Sequence, residues 1–400
     1  MYKSKIEDLS IFGGRKTFDL PLHVGRPNIV DRQQFLQHIN TILDTKWLTN
    51  NGPYVQNFEH KISDITGVKH AIAICNGTVA LEIAIRALEL TGEVIVPSFT
   101  FVATAHALQW QEITPVFCDI NLDNFTIDTQ QIEKLITPRT SGIIGVNLWG
   151  RNCHTAALSE LAEKYNLKLL YDSAHSFGCT NEGTMVGNFG DAEIFSFHAT
   201  KMVNTLEGGA IVTNNDELAE KIRLMRNFGF ADEDKVIYIG TNGKMNEISA
   251  AMGLCSLDNI ETIINANKQN YSLYTDGLSD IPGIKICEYT SESTYPYITL
   301  YIDHEQSVLT RNQLVDILQH DNILARRYFY PGCHNMEPYR SYFPHSGLLL
   351  KNTENLIHQT LCLPTGTSIS KNEIEETCHL IKFIINNAKE IKKKLEYKNT

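Results

Sequence analysis

The sequence between residues 70 and 213 alternates short apolar runs with amphipathic stretches, and this alternation constrains the fold more than any other feature. The apolar runs are HAIAIC, EVIVP, PVFCDI, SGIIGVNLWG, LKLLYDSA, EIFSF and GAIVT. Between some of them, as in VALEIAIRALEL and TAALSELAEKYN, apolar residues recur at helical spacing. Buried strands separated by helices are typical of an α/β fold with a mainly parallel sheet and helices on both faces. Ligands of such folds bind beyond the carboxyl ends of the strands.

The pattern changes after about residue 245. Residues 246–277 predict one long helix or two in succession. Beyond them, the strand-like IKICEY and YPYITLYI flank the helix-like LTRNQLVDILQHDN, and a last helix is predicted near residues 371–395. We therefore expect a large domain with an N-terminal arm (1–250), followed by a connecting helix and a smaller α+β domain (251–400).

Composition and charge narrow the classes of function. The net charge of −11 is spread along the chain, which argues against a nucleic-acid surface but allows a local basic pocket. No apolar run approaches the ~18 residues of a membrane span, and the start MYKSKIEDLSIFGGRK lacks the apolar core of a signal peptide. The nine cysteines form no CxxC pair, so we expect reduced thiols and no metal site. These features predict a cytoplasmic protein with neither a nucleic-acid nor a membrane partner.

Two strand ends carry side chains of opposite charge. Asp172 directly follows the apolar run LKLLY, and Lys201 lies a few residues beyond EIFSF. About one strand–connection–strand unit separates them, so neighbouring strands would bring both to the same edge of the sheet. Taken alone, Asp172 could cap a turn and Lys201 could be a surface lysine, and a salt bridge would also explain the pair.

A third feature is the turn from strand to helix in CNGTVALEIAI. Gly77 permits close approach, Thr78 supplies a hydroxyl, and a helix start leaves N–H groups free, which together predict an anion site. A plain N-cap at Asn76 would explain the motif as well. The sequence contains neither a Walker A nor a GxGxxG pattern, which argues against nucleotide-triphosphate hydrolysis and dinucleotide binding. Phe101 is an aromatic residue at another strand end, where a core position is the simpler interpretation.

These features in combination suit pyridoxal 5′-phosphate (PLP). This cofactor needs an amine for a Schiff base, a carboxylate that keeps its pyridine nitrogen protonated, and an anchor for its phosphate. The amine must be neutral to react with an aldehyde, although an unperturbed lysine has a pKa of ~10.4. Burial and a nearby cation would lower that pKa.

Seven ordered stretches carry a resemblance to a known family. They are KWLTNNGPYVQNFE, CNGTVALEIAIRAL, VIVPSFTFVATAHAL, YDSAHSFG, SFHATKMVNTLEGG, GTNGKMNEISAAMGL and the more divergent RRYFYPGCHNMEPY. With them the chain resembles the DegT/StrS family of nucleotide-sugar aminotransferases, which are fold-type I PLP enzymes, over nearly its whole length. A set of motifs this long and in this order is highly specific.

The resemblance implies roles for the residues around the cofactor ring. Lys201 would bind PLP covalently, Asp172 would contact the pyridine nitrogen, and Phe101 would lie against the ring. His175 occupies a place where the family often has glutamine near the ring hydroxyl. Histidine can donate the same hydrogen bond, but it also titrates near neutral pH.

The phosphate contacts follow from the same resemblance. Gly77, Thr78 and Ser196 would hold the phosphate, and Asn242 of GTNGKM would reach it from a second subunit. The family therefore implies a homodimer with shared active sites.

A lysine at position 201 bears on the type of reaction. Some relatives carry histidine at this position and dehydrate the sugar, so Lys201 favours amination. The resemblance implies L-glutamate as amino donor, with release of 2-oxoglutarate, and then transfer of the amine to a ketosugar. Lys201 would move the proton in both half-reactions.

The motifs FHATKMVNTLEGG and GTNGKM look most like relatives that act at C4 of a dTDP-4-keto-6-deoxyhexose and form a dTDP-4-amino-4,6-dideoxy sugar. A C3 aminotransferase is the main alternative. An aminotransferase acting on another ketone such as a cyclitol, and a non-catalytic PLP-binding regulator, are further ones. A surface polysaccharide is a possible destination of the product by analogy alone. Each candidate for contacting the nucleotide-sugar could equally be structural, and these candidates are Trp47, Asn50, Lys244, Arg326, Arg327 and Tyr330.

Overall fold

The structure, a computed structural model, describes residues 3–398. Residues 1–2 and 399–400, which the sequence assigned to the outer ends of the two expected domains, lie outside the described residues.

The strands follow one another along the chain with these bounds: β1 (Leu22–His23), β2 (His70–Ile74), β3 (Glu93–Pro97), β4 (Thr114–Cys118), β5 (Thr140–Val146), β6 (Lys168–Asp172), β7 (Thr180–Asn181), β8 (Thr184–Met185), β9 (Ala192–Ser196), β10 (Gly209–Thr213), β11 (Phe230–Asp232), β12 (Lys235–Val236), β13 (Ile284–Ile286), β14 (Ile298–Ile302), β15 (Ile323–Leu324) and β16 (Thr360–Leu363).

The α-helices have these bounds: α1 (Arg32–Thr45), α2 (Pro53–Thr66), α3 (Gly77–Ala87), α4 (Ala103–Gln109), α5 (Thr129–Ile132), α6 (Thr155–Tyr165), α7 (Asp216–Arg226), α8 (Glu247–Asp258), α9 (Ile260–Leu278), α10 (His304–Ser307), α11 (Arg311–His320), α12 (Tyr339–Tyr342), α13 (Lys351–Leu356), α14 (Lys371–Asn386) and α15 (Ala388–Lys398).

A seven-stranded sheet forms the centre of the first half, in the order β2-β10-β9-β6-β5-β3-β4. The pairs from β9 through β6, β5 and β3 to β4 are parallel. Only β10 runs against its neighbours β9 and β2. The prediction of a mainly parallel sheet is confirmed.

Helices cover both faces of this sheet. Ile72 and Ile74 of β2 pack in one hydrophobic cluster with apolar residues of α3 and α7. Ala71 and Ala73 of the same strand pack in another cluster, with residues of α2 and α8. Successive strand residues point to opposite faces, so a continuously apolar run such as HAIAI is buried on both sides. The predicted α/β class is confirmed.

The second half contains a smaller, antiparallel sheet in the order β13-β14-β16. Its residues Ile298 and Leu300 share a cluster with Leu314 of α11 and Ile381 of α14. The predicted smaller α+β unit is therefore present. The connecting segment consists of two helices, α8 and α9, which meet at Asn259.

The N-terminal arm packs against this smaller unit. Ile6, Leu9 and Ile11 belong to the same hydrophobic cluster as β14 and α14. Strand β1 of the arm pairs in parallel with β15. The predicted boundary after residue 250 falls inside α8, and the division into two domains stays a prediction.

No helix within residues 3–398 is both long and apolar enough to cross a bilayer. All nine cysteines are free thiols, and eight of them are buried.

One buried carboxylate holds the arm in place. The Asp321 side chain is fully buried and lies 2.9 Å from the Lys3 amine. It also accepts hydrogen bonds from the backbone N–H and the hydroxyl of Thr17, each at 2.9 Å, and from the N–H of Ser10 at 3.3 Å. A buried carboxylate is stable only when it is paired and hydrogen-bonded in this way.

We expect Asp321→Asn to destabilise the protein. The amide replaces an acceptor oxygen with a donor that faces other donors, and it leaves the Lys3 ammonium, which also donates to the carbonyls of Asp8 and Arg15, without the charge of Asp321. This costs about 2–4 kcal/mol. Urea denaturation measures the free energy of unfolding. Asp316→Asn is the matched control because Asp316 is an exposed residue of the preceding helix α11. Equal stability of the two variants would contradict this account of the arm.

Candidate active site

A cavity of about 1230 Å³ opens at the carboxyl ends of the parallel strands. Its walls include residues that follow β2, β3, β6 and β9, together with part of the N-terminal arm. The smaller unit closes another side with Tyr297, Arg326 and Tyr328. The cavity therefore lies where both halves of the chain meet.

Asp172 is the last residue of β6, and its side chain is almost fully buried in the cavity wall. One carboxylate oxygen accepts the Thr104 hydroxyl at 2.8 Å, and the other accepts the N–H of Ala174 at 3.2 Å. Burial raises the pKa of Asp172, while Thr104, Ala174 and the charge of Lys201 oppose that rise. The carboxylate is thus held in a fixed orientation at the strand end.

Lys201 lies in the loop between β9 and β10, five positions beyond the end of β9. Since β9 is the parallel neighbour of β6, Lys201 and Asp172 line the same cavity, as the strand-end argument expected. The Lys201 amine lies 3.5 Å from the Tyr297 hydroxyl oxygen. Burial lowers the pKa of Lys201 to about 8, against an upward effect of the Asp172 charge. The amine is therefore far easier to deprotonate than an exposed lysine.

The helix start at α3 forms another wall. The side chain of Asn76 caps the helix by accepting the N–H of Val79 at 2.8 Å. Within residues 3–398, the N–H groups of Gly77 and Thr78 have no hydrogen-bond partner. An α3 N-terminus with free N–H groups in a cavity favours a bound anion.

Glycine at position 77 keeps this wall open. A Cβ atom there would lie 3.0 Å from Cβ and 3.2 Å from Oγ of Ser196, the last residue of β9. Gly77, Thr78 and Ser196, which the sequence proposed as phosphate contacts, all line the cavity. The space that a side chain would fill is thus left beside a hydroxyl and two free N–H groups.

Phe101 lines the cavity and is 57% exposed, so its ring is not part of the core. Phe329 packs near it, with ring centroids 6.4 Å apart. The structure thus presents an accessible aromatic face at this strand end, which the simpler core interpretation of Phe101 did not foresee.

His175 lines the same cavity, and both of its ring nitrogens have protein partners. Nδ1 accepts the backbone N–H of Trp149 at 3.4 Å, and Nε2 lies 3.2 Å from the Tyr297 hydroxyl. The ring also stacks on Phe329, with 5.9 Å between centroids. Burial, and secondarily the charge of Lys201, lowers the pKa of His175 well below its ordinary value, so the ring is neutral.

Several of the other candidates lie away from this cavity. Asn242 is exposed and pairs with Asn227 in an isolated bridge. Asn50 and Lys244 line a separate cavity of about 310 Å³. Trp47 is 49% exposed and borders neither cavity. A single chain therefore does not bring these four residues to Lys201.

Of the three candidates near β15, one lines the main cavity and the other two lie together outside it. Arg326 lines the main cavity, with its guanidinium over the Tyr328 ring at 5.2 Å. Arg327 and Tyr330 do not line it, and the Arg327 guanidinium lies 5.2 Å from the Tyr330 ring centroid.

Two residues of the site had escaped sequence reasoning. Thr104 binds the Asp172 carboxylate, and Tyr297 contacts both Lys201 and His175. Thr104 lies in the small-residue stretch FVATAHAL and Tyr297 in YPYITLYI, where nothing local distinguishes them from structural residues. Only their neighbours in space reveal them.

The sequence matches known proteins over most of its length. Residues 30–382 match the DegT/DnrJ/EryC1/StrS aminotransferase family. The dTDP-4-amino-4,6-dideoxy-D-glucose transaminase of Shigella dysenteriae is 37% identical over 374 residues, covering 93% of this chain and 99% of that protein. The Escherichia coli transaminase of the same name is 37% identical over 368 residues, covering 91% and 98%.

Solved structures agree with this similarity. The structure of DesI in the presence of its TDP-sugar product superposes with a TM-score of 0.94 at 42% identity, over 98% of this chain and all of that one. PseC of Helicobacter pylori, an aminotransferase of pseudoaminic acid biosynthesis, gives a TM-score of 0.85 at 27% identity, covering 92% and 100%. The predicted fold class, that of the fold-type I PLP-dependent transferases, is confirmed.

The Lys201 amine should react at a lower pH than an exposed lysine. Because its pKa is lowered to about 8, we expect half-maximal acetylation of Lys201 near pH 8 in the full-length, cofactor-free chain. Asp172→Asn should move the midpoint further down, since the Asp172 carboxylate raises this pKa. Labelling with acetic anhydride at a series of pH values, read by peptide mass spectrometry, measures both midpoints.

Asp216→Asn, which removes an exposed carboxylate outside the cavity, is the control for this experiment and should keep the wild-type midpoint. An upward shift in Asp172→Asn, or a wild-type midpoint equal to that of exposed lysines, would refute the electrostatic description of the site.

Proposed function

The chain belongs to the DegT/DnrJ/EryC1/StrS aminotransferase family and is a sugar aminotransferase, and from this premise we propose that its cavity binds PLP and transfers an amino group to a nucleotide-linked keto-deoxysugar. A single observation carries the proposal: a low-pKa lysine, a buried carboxylate and a free helix start line one cavity. A non-catalytic regulatory role is not favoured, because the relatives that cover nearly the whole chain are transaminases.

The residues of the cavity fit this cofactor. The gap at Gly77, which a Cβ atom would narrow, lies beside the Ser196 hydroxyl and the free N–H groups of α3. These groups would hold the phosphate through hydrogen bonds and the helix dipole. The exposed face of Phe101 would lie against the ring.

When bound, PLP supplies an aldehyde that takes up an amino group and a ring that delocalises the electrons left on the substrate carbon. Lys201 contributes a neutral amine near pH 8, which can form the covalent link and later accept or return a proton at Nζ. Asp172, oriented by Thr104 and Ala174, would place a negative charge against the pyridine nitrogen and keep it protonated.

His175 is proposed to lie near the ring hydroxyl. Its Nε2 atom already faces Tyr297 at 3.2 Å, so a hydrogen bond to the cofactor would share or replace that contact. Because the ring is neutral, it brings no positive charge to the site.

We propose a dTDP-4-keto-6-deoxyhexose as the sugar substrate, aminated at C4 with L-glutamate as donor. Two relatives that cover more than 90% of the chain are dTDP-4-amino-4,6-dideoxy-D-glucose transaminases, and DesI was solved with a TDP-sugar product. A C3 aminotransferase is not favoured by these similarities. Arg326 is proposed as a contact to the nucleotide-sugar because it lines the cavity.

We propose that the enzyme is cytoplasmic. We also propose that its product is used to build a surface polysaccharide. The spore coat polysaccharide biosynthesis protein SpsC of Bacillus subtilis, which is 30% identical over 93% of this chain, supports this proposal.

We propose a homodimer with shared sites. Asn242 is exposed and outside its own chain's cavity, so contact with a phosphate requires another copy. Exposed apolar side chains surround the same segment, namely Phe228, Phe230, Val236, Ile237 and Ile239. From this side, Lys244, Asn50 and Trp47 would reach the partner's nucleotide-sugar. Arg327 and Tyr330 stay candidate contacts to the nucleotide-sugar, although they do not line the cavity of their own chain.

Lys201→Ala should abolish covalent attachment of PLP. After incubation with PLP and reduction with borohydride, wild-type protein should carry a pyridoxyl group on the peptide that contains Lys201. The variant should lose essentially all of that label, because Lys201 is the single lysine that lines the cavity among residues 3–398. Lys393→Ala removes an exposed lysine of α15 and should retain full labelling. Undiminished labelling in Lys201→Ala would disprove the assignment.

The position of amination decides the substrate. Protein supplied with L-glutamate should convert dTDP-4-keto-6-deoxyglucose, and NMR should locate the new amine at C4. The corresponding dTDP-3-keto sugar should react slowly or not at all. An amine found at C3 would contradict the C4 proposal but would leave the proposed aminotransferase chemistry intact.

A further inference from the structure

Tyr297 contacts both Lys201, which carries the amine of the site, and His175. It immediately precedes β14 in the smaller unit, and its side chain is almost fully buried. The hydroxyl oxygen lies 3.5 Å from Lys201 Nζ and 3.2 Å from His175 Nε2. The Tyr289 hydroxyl donates to the backbone carbonyl of Tyr297 at 2.8 Å, so the segment is held from behind.

The hydrogen bonds of His175 have a direction. Its Nδ1 accepts the N–H of Trp149, so the proton of the neutral ring must be on Nε2. Nε2 then donates to the Tyr297 oxygen and occupies one of its lone pairs. The Tyr297 hydroxyl proton then needs an acceptor other than His175. The neighbouring atom that can accept it is Nζ of Lys201, at 3.5 Å.

Only the neutral form of Lys201 gives every donor in this series of hydrogen bonds an acceptor. A neutral amine has a lone pair that accepts the Tyr297 proton. An ammonium group has none, so the phenol would have to accept from it, and its own proton would then lack an acceptor in a buried position. An unpaired buried hydroxyl is costly.

We infer that Tyr297 is a positioning residue that donates its hydroxyl hydrogen to the neutral amine of Lys201, in an orientation set by His175. The inference deepens the proposed role of Lys201 and rests on it. It assigns the smaller unit a direct part in preparing the amine, since Tyr297 is contributed by the segment that leads into β14.

Other groups around the cavity do not substitute for this contact. The other titratable and charged side chains that line it are His23, Arg26, Asp172, His198, Glu207, Arg326 and Tyr328. Of these, Asp172 acts on Lys201 in the opposite sense, because its charge favours the ammonium form. Burial lowers the pKa of Lys201, and the Tyr297 hydrogen bond adds to that effect. Burial also raises the pKa of Tyr297 well above its ordinary value, so the phenol keeps its proton.

Tyr297→Phe tests the inference, since it removes the hydroxyl and retains the ring. In the full-length, cofactor-free chain, the pH midpoint for acetylation of Lys201 by acetic anhydride should rise by about 0.5–1 pH unit, which lowers the neutral fraction about three- to tenfold below the midpoint. Tyr301→Phe is the matched control, because Tyr301 lies on the same β14 strand and does not line the cavity. Thermal unfolding of both variants checks that the fold persists.

A second pair of variants tests the direction of the chain independently. His175→Gln offers an amide oxygen that can accept the Tyr297 proton, so the phenol can then accept from an ammonium group and the midpoint should rise. His175→Leu offers neither donor nor acceptor, so the ammonium form would still leave the phenol proton unpaired and the midpoint should stay near the wild-type value. This pair decides the question even if Tyr297→Phe fails to fold.

The inference is overturned if Tyr297→Phe leaves the midpoint unchanged or lowers it, if Tyr301→Phe shifts it equally, or if His175→Gln has no effect. None of these measurements uses PLP or a sugar. A failure here is therefore distinct from a failure of the proposed function, which the pyridoxyl labelling and the NMR product analysis test.

Discussion

The parallel hydrogen bonds between β6 and β9 set Asp172 opposite Ile194, two residues before the end of the neighbouring strand. Because the carboxyl ends of both strands reach the same edge of the sheet, the chain that leaves β9 brings Lys201 to the cavity that Asp172 lines. A shift of register by one residue would turn Asp172 to the other face of the sheet. The cavity, its electrostatics and the cofactor site that we propose all depend on this pairing.

Burial in this cavity shifts the pKa values of Lys201 and Asp172 in opposite directions. It lowers the pKa of Lys201 and raises that of Asp172, because it disfavours the charged form of each. Hydrogen bonds from Thr104 and Ala174 then favour the charged carboxylate. The Tyr297 hydroxyl lies 3.5 Å from the amine and, by our inference, donates to its neutral form. The surroundings therefore leave Lys201 easily neutral, whereas hydrogen-bond donors hold Asp172 as a carboxylate.

Much of the architecture was predictable because its signals are local. The seven strands of the large sheet were identified by their apolar runs, and β13, β14, α11 and α14 were identified in the second half. The short strands β7, β8, β15 and β16 were not identified. Of the two alternatives predicted for residues 246–277, one long helix or two in succession, the structure has two helices that meet at Asn259. The packing of Ile6 and Leu9 on the smaller core had no sequence signal. Contacts between segments some 300 residues apart leave no periodicity for a reader of the sequence to detect.

The sequence by itself indicated the strands of the large sheet, and its motifs identified the family and pointed to Lys201, Asp172 and the turn at Gly77 as candidate site residues. The tertiary structure decided which side chains act on them. Thr104 comes within hydrogen-bond distance of Asp172 only when α4 and β6 pack in the large unit, and Tyr297 reaches Lys201 only when the smaller unit packs against it. The physical reason is that residue type and local spacing are properties of a segment, whereas burial and pKa depend on all the segments that enclose a group.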